Sequence, residues 1–118
     1  MGLHSWDGIE REQMNALVSR QVIHSANMTV SRLHLKQGAV VPEHSHVNEQ
    51  ITVLEQGRLR FVLNGAETIV EAGQALVIPP NAVHRVEALE DSVAMDLFSP
   101  RREDWLRGDD AYLRQGAR

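Results

Sequence analysis

The dipeptide Asn64-Gly65 stands between two runs, Arg58-Leu63 and Glu67-Val70, that read as strands. A type I′ turn needs positive φ at both central positions, which Asn and Gly adopt at little steric penalty, so the segment predicts a tight β-hairpin. The same grammar extends along the chain. Short alternating or apolar runs predict strands near Val18-His24, Met28-Leu35, Gln50-Glu55, Gly57-Leu63, Glu67-Glu71, Ala75-Ile78, His84-Ala88 and Val93-Phe98, with turns at Ala72-Gly73 and Pro79-Pro80-Asn81. Runs of this length and spacing define an all-β sandwich or barrel. The Pro79-Pro80 pair cannot lie inside a central strand, which sets His84 just beyond a loop, near a barrel mouth. After the last strand, Ser99-Pro100 is expected to cap a short helix over Arg101 to Arg107 that Gly108 ends.

A chain of 118 residues is expected to form a single domain, 1–118, with its barrel core over about 18–98. Cysteine is absent, which excludes disulfides and thiolate sites. With 12 basic against 16 acidic residues the net charge is -4, which argues against a nucleic-acid-binding surface. Met1 to Glu12 carries His4, Asp7, Glu10, Arg11 and Glu12 in place of an apolar leader, and there is no uninterrupted apolar run of membrane length. A soluble cytoplasmic protein without membrane partners is expected. Met14, Leu17 and Val18 could cover one barrel end or pack on a second subunit.

Chemistry concentrates in Gly38-Ala39-Val40-Val41-Pro42-Glu43-His44-Ser45-His46, together with Gln50, Gly57 and His84. Side chains alternate faces along a strand, so His44 and His46 project the same way, and Gln50 shares their parity if the pairing continues. Two imidazoles and an amide oxygen suit a divalent transition metal, with His84 arriving from a distant strand as a fourth ligand. Glu49 is the competing ligand. It has the opposite parity in an unbroken strand, but a bulge between Val47 and Glu49 would exchange the two. His4, His24 and His34 lack such company and read as ordinary surface or hydrogen-bonded residues.

These residues resemble the two motifs of the cupin superfamily, G-x5-H-x-H-x3,4-E-x6-G and G-x5-P-x-G-x2-H-x3-N. Gly38, His44, His46 and Gly57 fall on the first, with Gln50 at the usual Glu. Gly73, Pro79 and His84 fall on the second, with Asn81 for its second Gly and Ala88 for its final Asn. The resemblance implies a cupin barrel (a double-stranded β-helix or jelly roll) with a short C-terminal helical segment, commonly a homodimer. It also implies one bound divalent metal, of which Ni, Zn, Fe, Mn and Co all accept an imidazole-rich site. Asn81 is a mild departure, since Asn tolerates positive φ. Gln50 is a larger one: three neutral imidazoles and a neutral amide leave the metal its full charge, which favours Lewis-acid chemistry over stabilising a high-valent ion.

Asp96 is the other anomaly. It lies within the apolar run Val93-Phe98, sharing a face with Ala94 and Phe98, and strand interiors disfavour Asp. Either that face is solvated or Asp96 points into a polar cavity. With the His and Gln residues, the stretch Asp96-Leu97-Phe98-Ser99-Pro100-Arg101-Arg102 resembles the small pectin-degradation cupins, which linearise 4,5-unsaturated uronates. The resemblance implies a sugar-acid substrate, with Asp96 and Arg102 catalytic and Phe98 beside the sugar. Arg60 is a second candidate clamp for the carboxylate. Arg101 and Arg102 are hard to separate on sequence, because either could instead pair with Glu103 or Asp104 at the surface. Phe98, likewise, is more often core than ligand wall. Two other functions stay open: a metal-dependent dioxygenase of quercetinase type, and a non-catalytic sugar- or metal-binding module.

Overall fold

The computed structural model describes residues 2–115. A 3-10 turn at Trp6–Gly8 precedes ten strands. They are β1 (Glu12–Gln13), β2 (Val18–His24), β3 (Thr29–Leu35), β4 (Val40–His44), β5 (Glu49–Gln56), β6 (Arg58–Leu63), β7 (Ala66–Glu71), β8 (Ala75–Ile78), β9 (His84–Ala88) and β10 (Ser92–Ser99), followed by α1 (Glu103–Leu106) and α2 (Ala111–Gln115). Two antiparallel sheets face each other, one ordered β1-β2-β3-β10-β5-β8 and the other β4-β9-β6-β7. The all-β architecture expected from the turn spacing is observed, in the jelly-roll form that the cupin resemblance implies. Asn64 and Gly65 have φ of 47° and 84°, the primed turn anticipated from that dipeptide, and Asn81 sits at 65°.

Alternation along the central strands makes one end of the barrel polar and the other apolar. On β10 the buried positions are Ser92, Ala94, Asp96 and Phe98, on β3 Thr29, Ser31, Leu33 and Leu35, and on β5 Gln50, Thr52 and Leu54. Register aligns like with like. Asp96 lies opposite Ser31 on one side and Thr52 on the other, whereas Ala94 lies between Leu33 and Leu54. The facing sheet repeats this arrangement, with His44 opposite His84 and Val41 opposite Val86. Leu33, Leu35, Leu54, Leu59, Phe61 and Val86 form the dry floor, where each fully buried large apolar side chain contributes about 1.5–3 kcal/mol.

Two local expectations are corrected. First, Val40–His44 is a strand that the run analysis did not assign, and the backbone leaves strand geometry between His44 and Glu49. The bulge falls not after Val47 but between Val41 and His44, where three steps along β4 match two along β9. Pro42, which has no N–H to give a ladder, lies in it, and the extra residue turns His44 to the same side as Val41. Second, Ser99 does not cap α1; the Ser99–Pro100 bond is cis and the cap position is Arg102, whose backbone N–H donates to Thr29 Oγ1 at 2.8 Å. Residues 111–115 form α2, and Asp110 just before it accepts a charged hydrogen bond from Arg20 at 2.5 Å. Gly108, at φ 84°, ends α1 as anticipated. Near the start of the chain, Met14 enters the core and Asn15 Nδ2 donates to Leu113 O at 3.0 Å, so this segment and the C-terminal one brace each other.

Candidate metal centre and its cavity

His44, His46 and His84 converge from β4, the following loop and the start of β9, with ligand atoms all within 4.8 Å of one another. The His44 and His84 ring centroids are 4.1 Å apart, and those of His46 and His84 5.1 Å. The loop after β8 holds this assembly, since Asn81 N–H donates to His46 O at 2.8 Å and the positive φ of Asn81 turns the chain into β9.

Each imidazole is oriented by a carbonyl. His44 Nδ1 faces Pro42 O at 2.8 Å, His46 Nδ1 faces Asn48 O at 3.1 Å, and His84 Nδ1 faces Ala82 O at 2.8 Å. A carbonyl only accepts, so Nδ1 carries the proton in each neutral ring and Nε2 is left with its lone pair. Burial, followed by the neighbouring His84, pushes His44 down to about 3, and burial, followed by Arg102, pushes His46 down to about 4; burial also lowers His84. All three are therefore neutral at pH 7, the form that binds metal.

Two details show that this donor set fits a cation. His84 Nε2 is buried and has no hydrogen-bond partner. His46 Nε2 stands 3.0 Å from Gln50 Oε1, a lone pair against a carbonyl oxygen once Nδ1 holds the proton. A divalent ion accepting both would remove that repulsion and satisfy His84. Gln50 is buried with its amide oxygen toward His46, whereas Glu49 on the opposite face of β5 is exposed.

The cavity continues from the histidines to Asp96. Thr52 Oγ1 donates to Asp96 Oδ1 at 2.7 Å and accepts from Gln50 Nε2 at 2.9 Å. Burial raises Asp96 to about 6, against the hydrogen bonds from Thr52 and Gln50 and the charge of Arg102. Of the two options for its face, the polar cavity is the one observed. Phe98 is both core and wall: it is buried, and it meets His46 edge-on at 5.6 Å. Arg102, not Arg101, lines the cavity; Arg101 pairs with Glu103 at the surface at 2.6 Å. Arg102 also keeps the pairing open to either arginine, giving Nε and Nη2 to Asp104 at 2.9 and 2.8 Å while its guanidinium lies over Phe98 and Trp105.

Arg60 is not part of this site. Leu59 and Phe61 face the cavity, so Arg60 between them takes the other face of β6 and pairs with Glu87 at 3.2 Å and Glu67 at 3.5 Å.

Two participants escaped the sequence reading. Thr52 carries a signal that could have found it, since it is two residues beyond Gln50 on the same strand face. Tyr112 carries none. Its ring stacks on His44 at 4.4 Å, and its hydroxyl accepts from Arg102 Nη2 at 2.8 Å and Trp105 Nε1 at 3.2 Å. With Tyr112 in place the cavity measures about 40 Å³, room for an ion and a few waters.

Two facing antiparallel sheets with a histidine cluster at one mouth define a cupin. The chain belongs to the cupin domain family, whose profile matches residues 31–99. It is similar to the pectin degradation protein KdgF of Dickeya dadantii (strain 3937), with 32% identity over 98 residues, or 80% of this chain and 89% of that protein. The structure of KdgF from Halomonas sp. matches with a TM-score of 0.77 at 31% identity, covering 81% of this chain and 90% of that one. An RmlC-like cupin from Shewanella frigidimarina NCIMB 400 matches with a TM-score of 0.83 at 22% identity over 89% of this chain and 96% of that one, a likeness of fold alone. Among the described residues no helix is long and apolar enough to cross a membrane.

Proposed function

We propose that this cupin converts 4,5-unsaturated uronates, the products of pectin or alginate lyases, to their linear keto form, using one divalent metal held by His44, His46, Gln50 and His84. The observation that carries this reading is a single cavity that joins a metal-competent, charge-neutral donor set to a buried carboxylate and a buried guanidinium. The similarity to proteins named for pectin degradation supports the substrate class.

Opening the ring is an isomerisation. The anomeric hydroxyl loses its proton as the bond between C1 and the ring oxygen breaks, C1 becomes an aldehyde, and the enol left at C5 becomes a ketone when C4 is protonated. No oxidant is needed. Asp96 is suited to take up and return that proton, because a carboxyl titrating at about 6 is mostly ionised at pH 7 yet can hold a proton in passing. Such a group contributes about 10²–10⁴-fold. Arg102 holds the substrate carboxylate and Phe98 walls one sugar face. The metal, when bound, supplies positive charge that polarises substrate oxygens. The neutral amide at Gln50 and the exposed Glu49 leave the metal without a carboxylate partner, which weakens the dioxygenase alternative.

The test is ultraviolet absorbance of freshly released unsaturated monouronate. Metal-loaded protein is expected to hasten loss of the ring double-bond signal, and an unchanged rate refutes the assignment.

A further inference from the structure

Gln50 is an ambiguous ligand by chemistry, because its amide presents oxygen in one sense and two N–H donors in the other, and only the oxygen can serve a cation. Nothing in His46 or the backbone around it selects between them: a neutral imidazole with its proton on Nδ1 would accept readily from an amide N–H. The selection comes from the other side. Thr52 is 1% exposed, and its one hydroxyl proton goes to Asp96 Oδ1 at 2.7 Å. The oxygen of that hydroxyl can then only accept, and it accepts from Gln50 Nε2 at 2.9 Å. Were the amide reversed, Gln50 Oε1 and Asp96 Oδ1 would face a hydroxyl with a single proton between them, and one buried oxygen would be left without a donor.

We propose that Thr52 is a positioning residue that fixes the sense of the Gln50 amide, so that Oε1 and not the amide nitrogen faces His46 and the metal. The proposal rests on the reading of His44, His46, Gln50 and His84 as the metal ligands. Its physical basis is a chain of hydrogen bonds with one allowed direction, running from Gln50 to Thr52 to Asp96, and the Asp96 carboxylate, which also takes a hydrogen bond from Gln50, favours the same sense. The β-branched side chain of Thr restricts χ1 in a strand and so holds the hydroxyl in place. Asp96, through Thr52, thereby shapes the metal site as well as facing the substrate.

The test compares wild-type protein with Thr52→Val, which keeps shape and loses the hydroxyl, and Thr52→Ser, which keeps the hydroxyl. Zinc and nickel affinities are measured by chelator competition on the folded full chain. Thr52→Val is expected to bind 10- to 100-fold more weakly, the usual effect of losing a partner that orients a ligand, with Thr52→Ser close to wild type. Side-chain amide NMR of the metal-free protein supplies a reading that needs no metal: the Gln50 NH₂ protons should show contacts to Thr52 in wild type and to the His46 ring in Thr52→Val. Equal affinities in wild type and Thr52→Val, or wild-type NH₂ protons already against His46, overturn the proposal. If wild type takes up neither metal, the ligand assignment fails, and the amide contacts still decide whether Thr52 sets the orientation.

Discussion

Replacing Asp96 by Asn should make the metal-free protein more stable and the metal-loaded protein nearly inactive. The carboxyl titrates at about 6 in the folded state against 3.8 when solvated, because burial outweighs the hydrogen bonds from Thr52 and Gln50 and the charge of Arg102. At 1.36 kcal/mol per pH unit, keeping it ionised costs about 3 kcal/mol of stability. The sign follows from proton binding. Below 3.8 both states are protonated and nothing is lost; between 3.8 and 6 the folded state holds the extra proton and stability falls as pH rises; above 6 the full cost is present. An Asn keeps an oxygen to accept from Thr52 and removes the charge. Urea unfolding of metal-free wild type and Asp96→Asn should therefore differ by up to about 3 kcal/mol in favour of the variant at pH 8, with the gap closing below pH 6 and absent near pH 3.5. Turnover of unsaturated monouronate should fall about 10²–10⁴-fold. A stability gap that does not change with pH, or a variant that turns over normally, refutes the assignment of Asp96 as a strained and catalytic carboxylate.

The histidines act with the opposite sign: held neutral down to about 3 and 4, His44 and His46 contribute stability that is intact above 6.5 and lost as pH falls toward those values, on the order of 3 kcal/mol by pH 4 for the more buried His44 and less for His46. His46→Gln should flatten that acid limb in urea unfolding of metal-free protein, and an unaltered limb would count against the buried neutral ring. Arg60→Ala should leave kcat/KM within about twofold of wild type, since the side chain lies outside the cavity, whereas Arg102→Lys should lower kcat/KM at least about tenfold by losing the planar fork; steady-state kinetics on the same substrate would expose either error. Gly57→Ala should destabilise by about 2 kcal/mol or more, because φ is 93° and a Cβ would approach Asp91 O at 2.5 Å and Ser92 Cα at 2.7 Å; a thermal midpoint equal to wild type would show that the β5–β6 turn relaxes freely.

The route to the site differed from the one that sequence parity describes. Parity along an unbroken strand placed His44, His46 and Gln50 together, yet the strand is broken after His44, and His44 owes its direction to a bulge at Pro42 and Glu43. Asp96 was visible as an offence against strand composition, and its cavity is the reason. Arg60 was misplaced for lack of a partner strand: alternation says that it opposes Leu59 and Phe61, but not which of the two faces is inside. Tyr112 is beyond any local pattern, because stacking on His44 joins chain positions 68 residues apart through the docking of α2.

By itself the sequence determined eight of the ten strands, the primed hairpin at Asn64-Gly65 and the residue types able to hold a metal, since backbone preference and side-chain donor chemistry are local properties. Tertiary structure decided what burial and long-range pairing control. Burial sets the neutral state of the histidines and the raised titration of Asp96, by removing water from groups whose sequence neighbours are unremarkable. Pairing of β10 with β5 puts Thr52 beside Asp96, and the one proton on that hydroxyl goes to the carboxylate and leaves its oxygen to accept from the Gln50 amide nitrogen.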